Sequence, residues 1–397
     1  MKHTRLLISL SIIFCTACSN SASVSDAPPV GDLGTASKVI NVADAEKFDG
    51  YFNELVEDIY YVKLDTQQEA LFSEITKLIV TDKRIIVFDR AGKRIIVFNE
   101  EGDFLFKILN PGDGPGQYKD LQTISYNEEN GQFVLAANGK FLWYDRNGKF
   151  IREVKTLNAI ADDVALLPNN QIGIYYDVRG NFGDGGEIRA AVLNEQATII
   201  NTYQPFPKNV RVENITGFYS HFSISKYPLA VGVYSHDMLR FKDDRVFVEY
   251  RVDFGPDAMP DDFIETYITD PAYTSDEVRN VIAENGYWSI YGGAPQEAGD
   301  YLLFNFSNRN NYYYALYNKK EESVLSISTK LKESSGSESY LYFQSAFQDY
   351  FITKNGSKFI QNVYANLKAE TNRDELAKAI ENEVPVLWFI KFKTQLE

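Results

Sequence analysis

The chain has 397 residues, with 40 basic against 55 acidic side chains and a formal net charge of −15. That balance argues against nucleic acid as a partner, because phosphate binding needs a basic footprint. Three histidines (His3, His221 and His236) argue against a metal centre built from several imidazoles within one chain.

Residues 1–17 read as a lipoprotein signal peptide. Lys2 and Arg5 give a basic start, Leu6 to Phe14 is an apolar run too short to span a bilayer, and Thr16-Ala17 supplies small residues before Cys18. The arrangement resembles a bacterial lipobox, with Cys15 standing where the pattern prefers leucine. On this reading Cys18 becomes the lipid-modified first residue and ties the protein to a membrane, each buried methylene contributing about 0.8 kcal/mol. The alternative is an ordinary cleaved signal. Either way Cys18 is the last cysteine of the chain, so the folded part has no internal disulfide and must rest on a hydrophobic core. Residues 18–37, rich in Ser, Ala, Pro, Gly and Asp, read as a flexible tether. Residues 38–397 then form one domain.

Ile59 to Leu64 is a strand that precedes the first full repeat. From residue 75 onward short apolar strands alternate with turn pairs. Asn130-Gly131, Asn138-Gly139, Asn147-Gly148 and Asn355-Gly356 are of the kind that tight hairpins require. Ile95–Ile108 aligns with Phe141–Val154 at an offset of 46. Weaker copies pair Ala191–Asn194 with Ala197–Ile200, Met238–Phe241 with Arg245–Val248, and Tyr313–Tyr317 with Val324–Ile327. A period of about 40–50 residues carrying four short strands is the mark of a propeller blade. A plain β-sandwich would show no such repeat. Pro385–Phe392 is a good C-terminal strand, and pairing it with Ile59–Leu64 would close the ring and remove the exposed edge.

Arg94–Phe98, Glu101–Phe104 and Gly112–Tyr118 (GDGPGQY) together resemble the repeat of NHL-type propellers. With Val252–Gly255 and Met259–Phe263, the mature chain is similar to the six-bladed β-propeller lipoproteins of Bacteroides-type bacteria. The resemblance implies an all-β, six-bladed β-propeller with short helical insertions, five blades being visible as repeats and one inferred. It also implies the cell envelope, with the lipid in the outer membrane. In such lipoproteins, acidic residues just after the cysteine favour display outside the cell. Ser19–Ser23 has none, which points to the periplasmic face.

With strands lettered A to D outwards, the B–C and D-to-A connections share one rim. The irregular segments 109–120, 178–187, 255–286 and 371–383 are expected there, with Ser235-His236-Asp237 as the B–C turn of blade 4. Pro260 to Thr269 reads as one helix, Thr274 with Glu277 as the capping box of a second that Gly286 ends, and Thr371 to Glu383 as a third. Loops on a rigid scaffold carry function, so this rim is the expected working surface. Its candidate ligand-binding residues are Tyr118, Arg179, Asn181, Phe182, Asp184 and His236, aromatic, cationic and amide groups of the kind that recognise sugars or peptides. The bland alternative is that the helices merely cap blade ends.

No Gly-x-Ser-x-Gly elbow is present, and Gly112–Gly116 lacks the following helix that a phosphate loop needs. The pairs Asp162-Asp163, Asp243-Asp244 and Asp261-Asp262 read as solvated faces sooner than as catalytic acids. Two functions stay open. One is a lipid-anchored, non-enzymatic binding or scaffold module for a protein, peptide or glycan. The other is a propeller hydrolase or lactonase whose central channel holds calcium through Asp, Asn and Glu on the A strands.

Overall fold

The structure, a computed structural model, describes residues 31–137, 139–156, 159, 161–176, 188–205, 221–308, 311–354, 357–368 and 373–393. Short runs of β-branched and aromatic residues, Arg84–Asp89 (RIIVFD) among them, pair antiparallel into six small sheets around one axis. Blade 1 holds Lys77–Thr81, Arg84–Asp89, Arg94–Phe98 and Phe104–Ile108 as strands A to D, and blade 2 holds Thr123–Asn127, Gln132–Ala137, Lys140–Asp145 and Phe150–Lys155. Blade 3 holds Asp163–Leu166, Ile172–Tyr175, Ile188–Leu193 and Ile199–Pro205. The fold class expected from the repeat, with the blade count that the resemblance implies, is the one observed, a six-bladed propeller with few short helices.

The other three blades depart from the simple pattern. In blade 4 strand A shrinks to one bridge, Phe222 to Ala230, followed by Leu229–Ala230, Asp237–Lys242 and Arg245–Asp253 as B to D. Blade 5 has a broken A strand, Ser289–Ile290 and Gln296–Ala298, both pieces pairing with Tyr301–Ser307 before Tyr312–Asn318 and Ser323–Ser328. Each of these two blades gains a fifth, parallel outer strand from the N-terminal segment: Lys38–Asn41 on blade 4 and Glu46–Phe48 on blade 5. Blade 6 closes the ring. Phe343–Phe347, Tyr350–Lys354 and Val386–Phe392 come from the C-terminal part, and Val56–Lys63 supplies strand D. Trp388 lies opposite Tyr61, and Phe389 stacks on Tyr60 at 4.5 Å.

The core lies between blades. Each neighbouring pair shares a cluster of buried apolar side chains, Phe133 and Leu135 meeting Ile86 and Phe88 for blades 1 and 2, and Leu387 and Phe389 meeting Leu78 and Val87 across the seam. Gly102 shows how closely consecutive blades approach. Its φ is +93°, and a Cβ there would lie 2.0 Å from the Lys63 carbonyl oxygen of blade 6. Between blades 4 and 5 an ionic link is added to the apolar one: Arg240 forks onto Glu297 at 2.7 and 3.0 Å and also bonds Glu249. These two acids hold the guanidinium charged against the desolvation that would lower its pKa.

The N-terminal segment is attached earlier than a tether up to residue 37 implies. The Gly31 N–H donates to Thr202 O at 2.8 Å, Val248 N–H donates to Leu33 O, and Ser37 N–H donates to Val248 O. Leu33 and Ala36 pack against the cluster shared by blades 3 and 4. Two of the three expected helices form, and the first, 260–269, is replaced by a different turn. Helix α2 (Ser275–Asn285) follows α1 (Phe52–Leu55), starts in the Thr274–Glu277 capping box and ends at Gly286 with φ +67°. Residues 260–269 make only a π-helical turn, Ile264–Ile268. Helix α3 (Lys358–Leu367) went unread in the sequence, and α4 (Arg373–Glu381) occupies the expected third helix. Among the described residues no helix is long and apolar enough to cross a membrane.

Candidate functional site

Strands A and C run one way and B and D the other, so the A–B and C–D turns share one rim and the remaining connections share the second. No connection on the first rim exceeds six residues. The second receives the ends of 109–122, 176–187, 231–236, 254–288, 329–342 and 355–385. The four irregular segments and the His236 turn therefore begin and end on the rim expected from the strand count.

At that end of the axis the first residues of four inner strands meet. Asp163 Oδ1 accepts from Lys77 Nζ at 2.6 Å, Thr123 Oγ1 at 2.7 Å and its neighbour's Val164 N–H at 2.9 Å. Oδ2 accepts from the backbone N–H groups of His221 and Phe222 at 2.8 and 3.0 Å. One carboxylate thus ties blades 1, 2, 3 and 4. Burial would raise the Asp163 pKa, but the Lys77 ammonium and these donors hold it below the ordinary carboxylate value. Both oxygens are engaged, and an ammonium sits where a cation would have to bind. Next to it His221 donates from Nδ1 to Val231 O at 3.1 Å and lies 5.1 Å from the Tyr175 ring.

Lys77 is also the inner end of a cavity of about 210 Å³ that runs to the other rim. Ile79, Val80, Phe222 and Ile224 wall it, and Thr81, Asn127, Glu129 and Lys226 surround its mouth, the last two paired at 2.5 Å. At this volume it is smaller than the several hundred Å³ a typical ligand site offers.

Of the candidate residues, Tyr118 is 2% exposed and lies between blades 1 and 2, its hydroxyl donating to Lys93 O and Ile108 O. The glycine-rich motif around it is a clip: Gly116 N–H donates to Glu153, and Tyr144 Oη donates to Gly116 O. His236 is 7% exposed, and its Nε2 donates to Met259 O at 2.7 Å, fastening the 254–288 insertion through Phe254 and a small apolar cluster of its own. Both are structural anchors, because their ring and polar atoms are spent on the protein itself. Arg179, Asn181, Phe182 and Asp184 lie outside the described residues, as does Cys18. The strand ends that carry the 177–187 connection, on the second and third strands of blade 3, are fixed to each other, with Tyr176 N–H donating to Arg189 O at 2.7 Å. Of the paired acids, Asp163 is the buried hub, Asp261 pairs with Arg251, and Asp243 sits in the tight C–D turn of blade 4.

The same rim carries a feature missed in the sequence. Tyr291, Tyr312, Tyr340 and Tyr342 are exposed where blades 5 and 6 adjoin. The alternation Tyr340-Leu341-Tyr342, with only Leu341 buried, was its available signal.

Comparison with solved structures gives a protein of Bacteroides fragilis NCTC 9343, described as exported, at 16% identity and a TM-score of 0.70. The match covers 90% of this chain and 100% of that one, and at this identity it shows the fold alone. A member of the duf4221 family from Bacteroides vulgatus is 10% identical with a TM-score of 0.46, covering 85% of this chain and 97% of that one. No curated protein matches the chain. The profile described as "Domain of unknown function (DUF4934)" matches residues 37–391, and with nearly the whole propeller inside that match the chain belongs to the DUF4934 family.

Proposed function

We propose that this protein is a cell-envelope binding or scaffold module, held to the outer membrane by a lipid on Cys18 and facing the periplasm, that engages its partner through the loop-rich rim. The observation that carries the reading is the asymmetry of the propeller: short turns on one rim, every long connection on the other. Lengthening a connection costs conformational entropy that packing or use must offset. Insertion of such segments on one rim alone builds one surface. The signal-like start, the exported Bacteroides neighbour and the NHL-like repeat motifs support the envelope assignment. Residues 31–37 meet the outer wall of blades 3 and 4. Arg179, Asn181, Phe182 and Asp184 belong to the connection between the second and third strands of blade 3 and are the proposed contacts. Binding is favoured over hydrolysis because Asp163, the acid brought to the axis, is fully engaged as a structural hub.

Two measurements test this. Cys18→Ala should move the protein from the membrane to the soluble fraction, and a variant that stays membrane-bound ends the anchor reading. The full chain, used as bait on an envelope extract of the producing bacterium, should lose its captured partner on Arg179→Ala with Phe182→Ala. It should keep it on Glu129→Ala with Lys226→Ala. The reverse pattern would show that the wrong face was chosen.

A further inference from the structure

We infer that the cavity on the short-turn rim is a binding pocket for a small uncharged carbonyl compound, an apolar body of single-ring size with one carbonyl oxygen. The inference goes beyond the binding-module reading, whose surface lies at the other end of the axis. The pocket exists because blade 4 breaks the repeat. Its inner strand is reduced to the Phe222–Ala230 bridge, and residues 224–227 form a bend where blades 1, 2 and 3 continue a strand. Ile224 on that bend packs against the cluster shared by blades 1 and 2. The bend and the inner strands of blades 1, 2 and 3 thus enclose about 210 Å³. A local break in an otherwise consistent pattern is where a fold carries something besides stability.

Walls and size set the body of the ligand. Ile79, Val80, Leu166 and Phe222 are buried side chains that line the cavity. An apolar cavity of about 150 Å³ takes benzene, so one of about 210 Å³ takes a ring with a substituent of two or three atoms. Water against such walls finds few partners, and an apolar group that displaces it gains affinity.

The inner end sets the polar group. Lys77 lines the cavity at 6% exposure, and among the described residues its Nζ has two acceptors, Asp163 Oδ1 at 2.6 Å and, at a long 3.4 Å, Val164 O. One N–H of the ammonium is left to donate into the cavity. Ser125, two residues along its strand from Thr123 and on the same face, accepts from Leu166 N–H at 2.9 Å and keeps its own proton to donate. Both Asp163 oxygens are engaged, so the inner end presents donors and no open carboxylate. A carbonyl oxygen accepts from such donors without bringing a proton that needs an acceptor of its own. A carboxylate would bury an unbalanced charge beside an ion pair that is already neutral. At the mouth Lys226 is paired with Glu129 at 2.5 Å, and Glu128 adds a negative charge that turns an anion away.

The test is a titration of the full chain followed by the methyl resonances of Ile79 and Ile224, with three probes of one shape. These are acetophenone, isopropylbenzene, which lacks the acceptor, and benzoate, which carries a charge. Acetophenone should bind and shift both methyls. The other two should bind at least about tenfold more weakly, as expected when a hydrogen bond from a charged donor is lost. Ser125→Ala should weaken acetophenone about two- to tenfold, and Lys226→Ala should leave it unchanged. Ser225→Trp, at an exposed lining position, should block the mouth and abolish binding. Thr81→Trp, across the axis on blade 1, should do the same, and unchanged melting temperatures show which variants fold. Absence of acetophenone binding, or binding that survives a folded tryptophan variant, overturns the pocket. Isopropylbenzene binding as tightly as acetophenone would reveal a plain apolar void, and benzoate binding more tightly an anion site; either overturns the carbonyl assignment. The loop-rich rim is tested separately by the envelope bait, so the two readings fail independently.

Discussion

Asp163 and Lys77 are buried together at the axis, and each is the other's counter-charge. Removing one partner of such a pair leaves an uncompensated charge and typically costs about 3–5 kcal/mol. Asp163→Ala should therefore lower the melting temperature sharply, as followed by circular dichroism. Replacing both with apolar residues, Lys77→Met with Asp163→Leu, should recover only the part owed to the unpaired ammonium, because the Thr123 hydroxyl and the His221 and Phe222 N–H groups still lose their acceptor. Because the ammonium already satisfies this carboxylate, added calcium should leave the melting temperature of the wild type unchanged. Glu333 gives a pH dependence. Burial pushes its carboxyl up, yet the Ser335, Ser337 and Asn362 bonds hold it at about 2 against the ordinary 4.5. A depressed folded pKa means stability that is fully present above the unfolded value and lost as pH falls from about 4.5 towards 2. The acid melting transition should be shallower over that window in Glu333→Gln, and an identical acid profile would exclude Glu333 as a contributor. None of these roles is written in the residue types. Asp163 looked like one of several surface acid pairs, because its partners come from strands 40 to 86 residues away.

Helix α2 is the element most legible in the chain. Its start and stop are local hydrogen-bonding devices: Glu277 N–H donates to Thr274 Oγ1, the Glu277 carboxylate accepts from Thr274 N–H, and Gly286 takes the left-handed turn. Thr274→Ala should cost about 1 kcal/mol of local stability. Since the insertion has its own apolar cluster around Phe263, Ile268 and Val278, the loss should appear as faster amide exchange across 275–285 before it affects the propeller. Helix α3 carried a periodic signal too, in Phe359, Ile360, Val363 and Tyr364, all buried. It packs on Tyr61 and Trp388 of blade 6, so it serves as core for the last junction and not as a loop-like ornament of the rim. The Arg240 clip is the element-level counterpart between blades 4 and 5. Arg240→Met should leave Glu249 and Glu297 facing each other and destabilise that junction by about 3–5 kcal/mol, measured by chemical denaturation.

At the scale of the ring, stability depends on strands from opposite ends of the sequence. Val386–Phe392 pairs with Val56–Lys63 along its length, with Trp388 and Phe389 packed against Tyr61 and Tyr60. Deleting residues 385–397 would expose the outer strand of blade 6 and the second strand at once. It should lower the denaturation midpoint far more than the loss of a comparable surface loop, and a truncated chain that melts like the intact one would contradict the closed ring. The N-terminal segment adds to this closure by crossing blades 4 and 5 as parallel outer strands before it enters blade 6.

The propeller itself was readable because its determinants are short-range and repeated. Apolar strands, their turn pairs and the 46-residue offset between Ile95–Ile108 and Phe141–Val154 recur along the chain, and the two terminal strands lacked partners until they were paired with each other. From that strand count the rim of the long connections also followed. Only the tertiary structure decided which side chains on that rim face solvent. Tyr118 and His236 have the chemistry of contact residues, but their polar atoms bond backbone carbonyls contributed by distant segments, whereas Tyr340 and Tyr342 are turned outward by a buried Leu341 between them. The parallel strands at Lys38–Asn41 and Glu46–Phe48 and the Asp163 hub were hidden for the same reason. Burial and hydrogen-bond partners are set by what the ring brings together across hundreds of residues, while periodicity and capping are set by the next few.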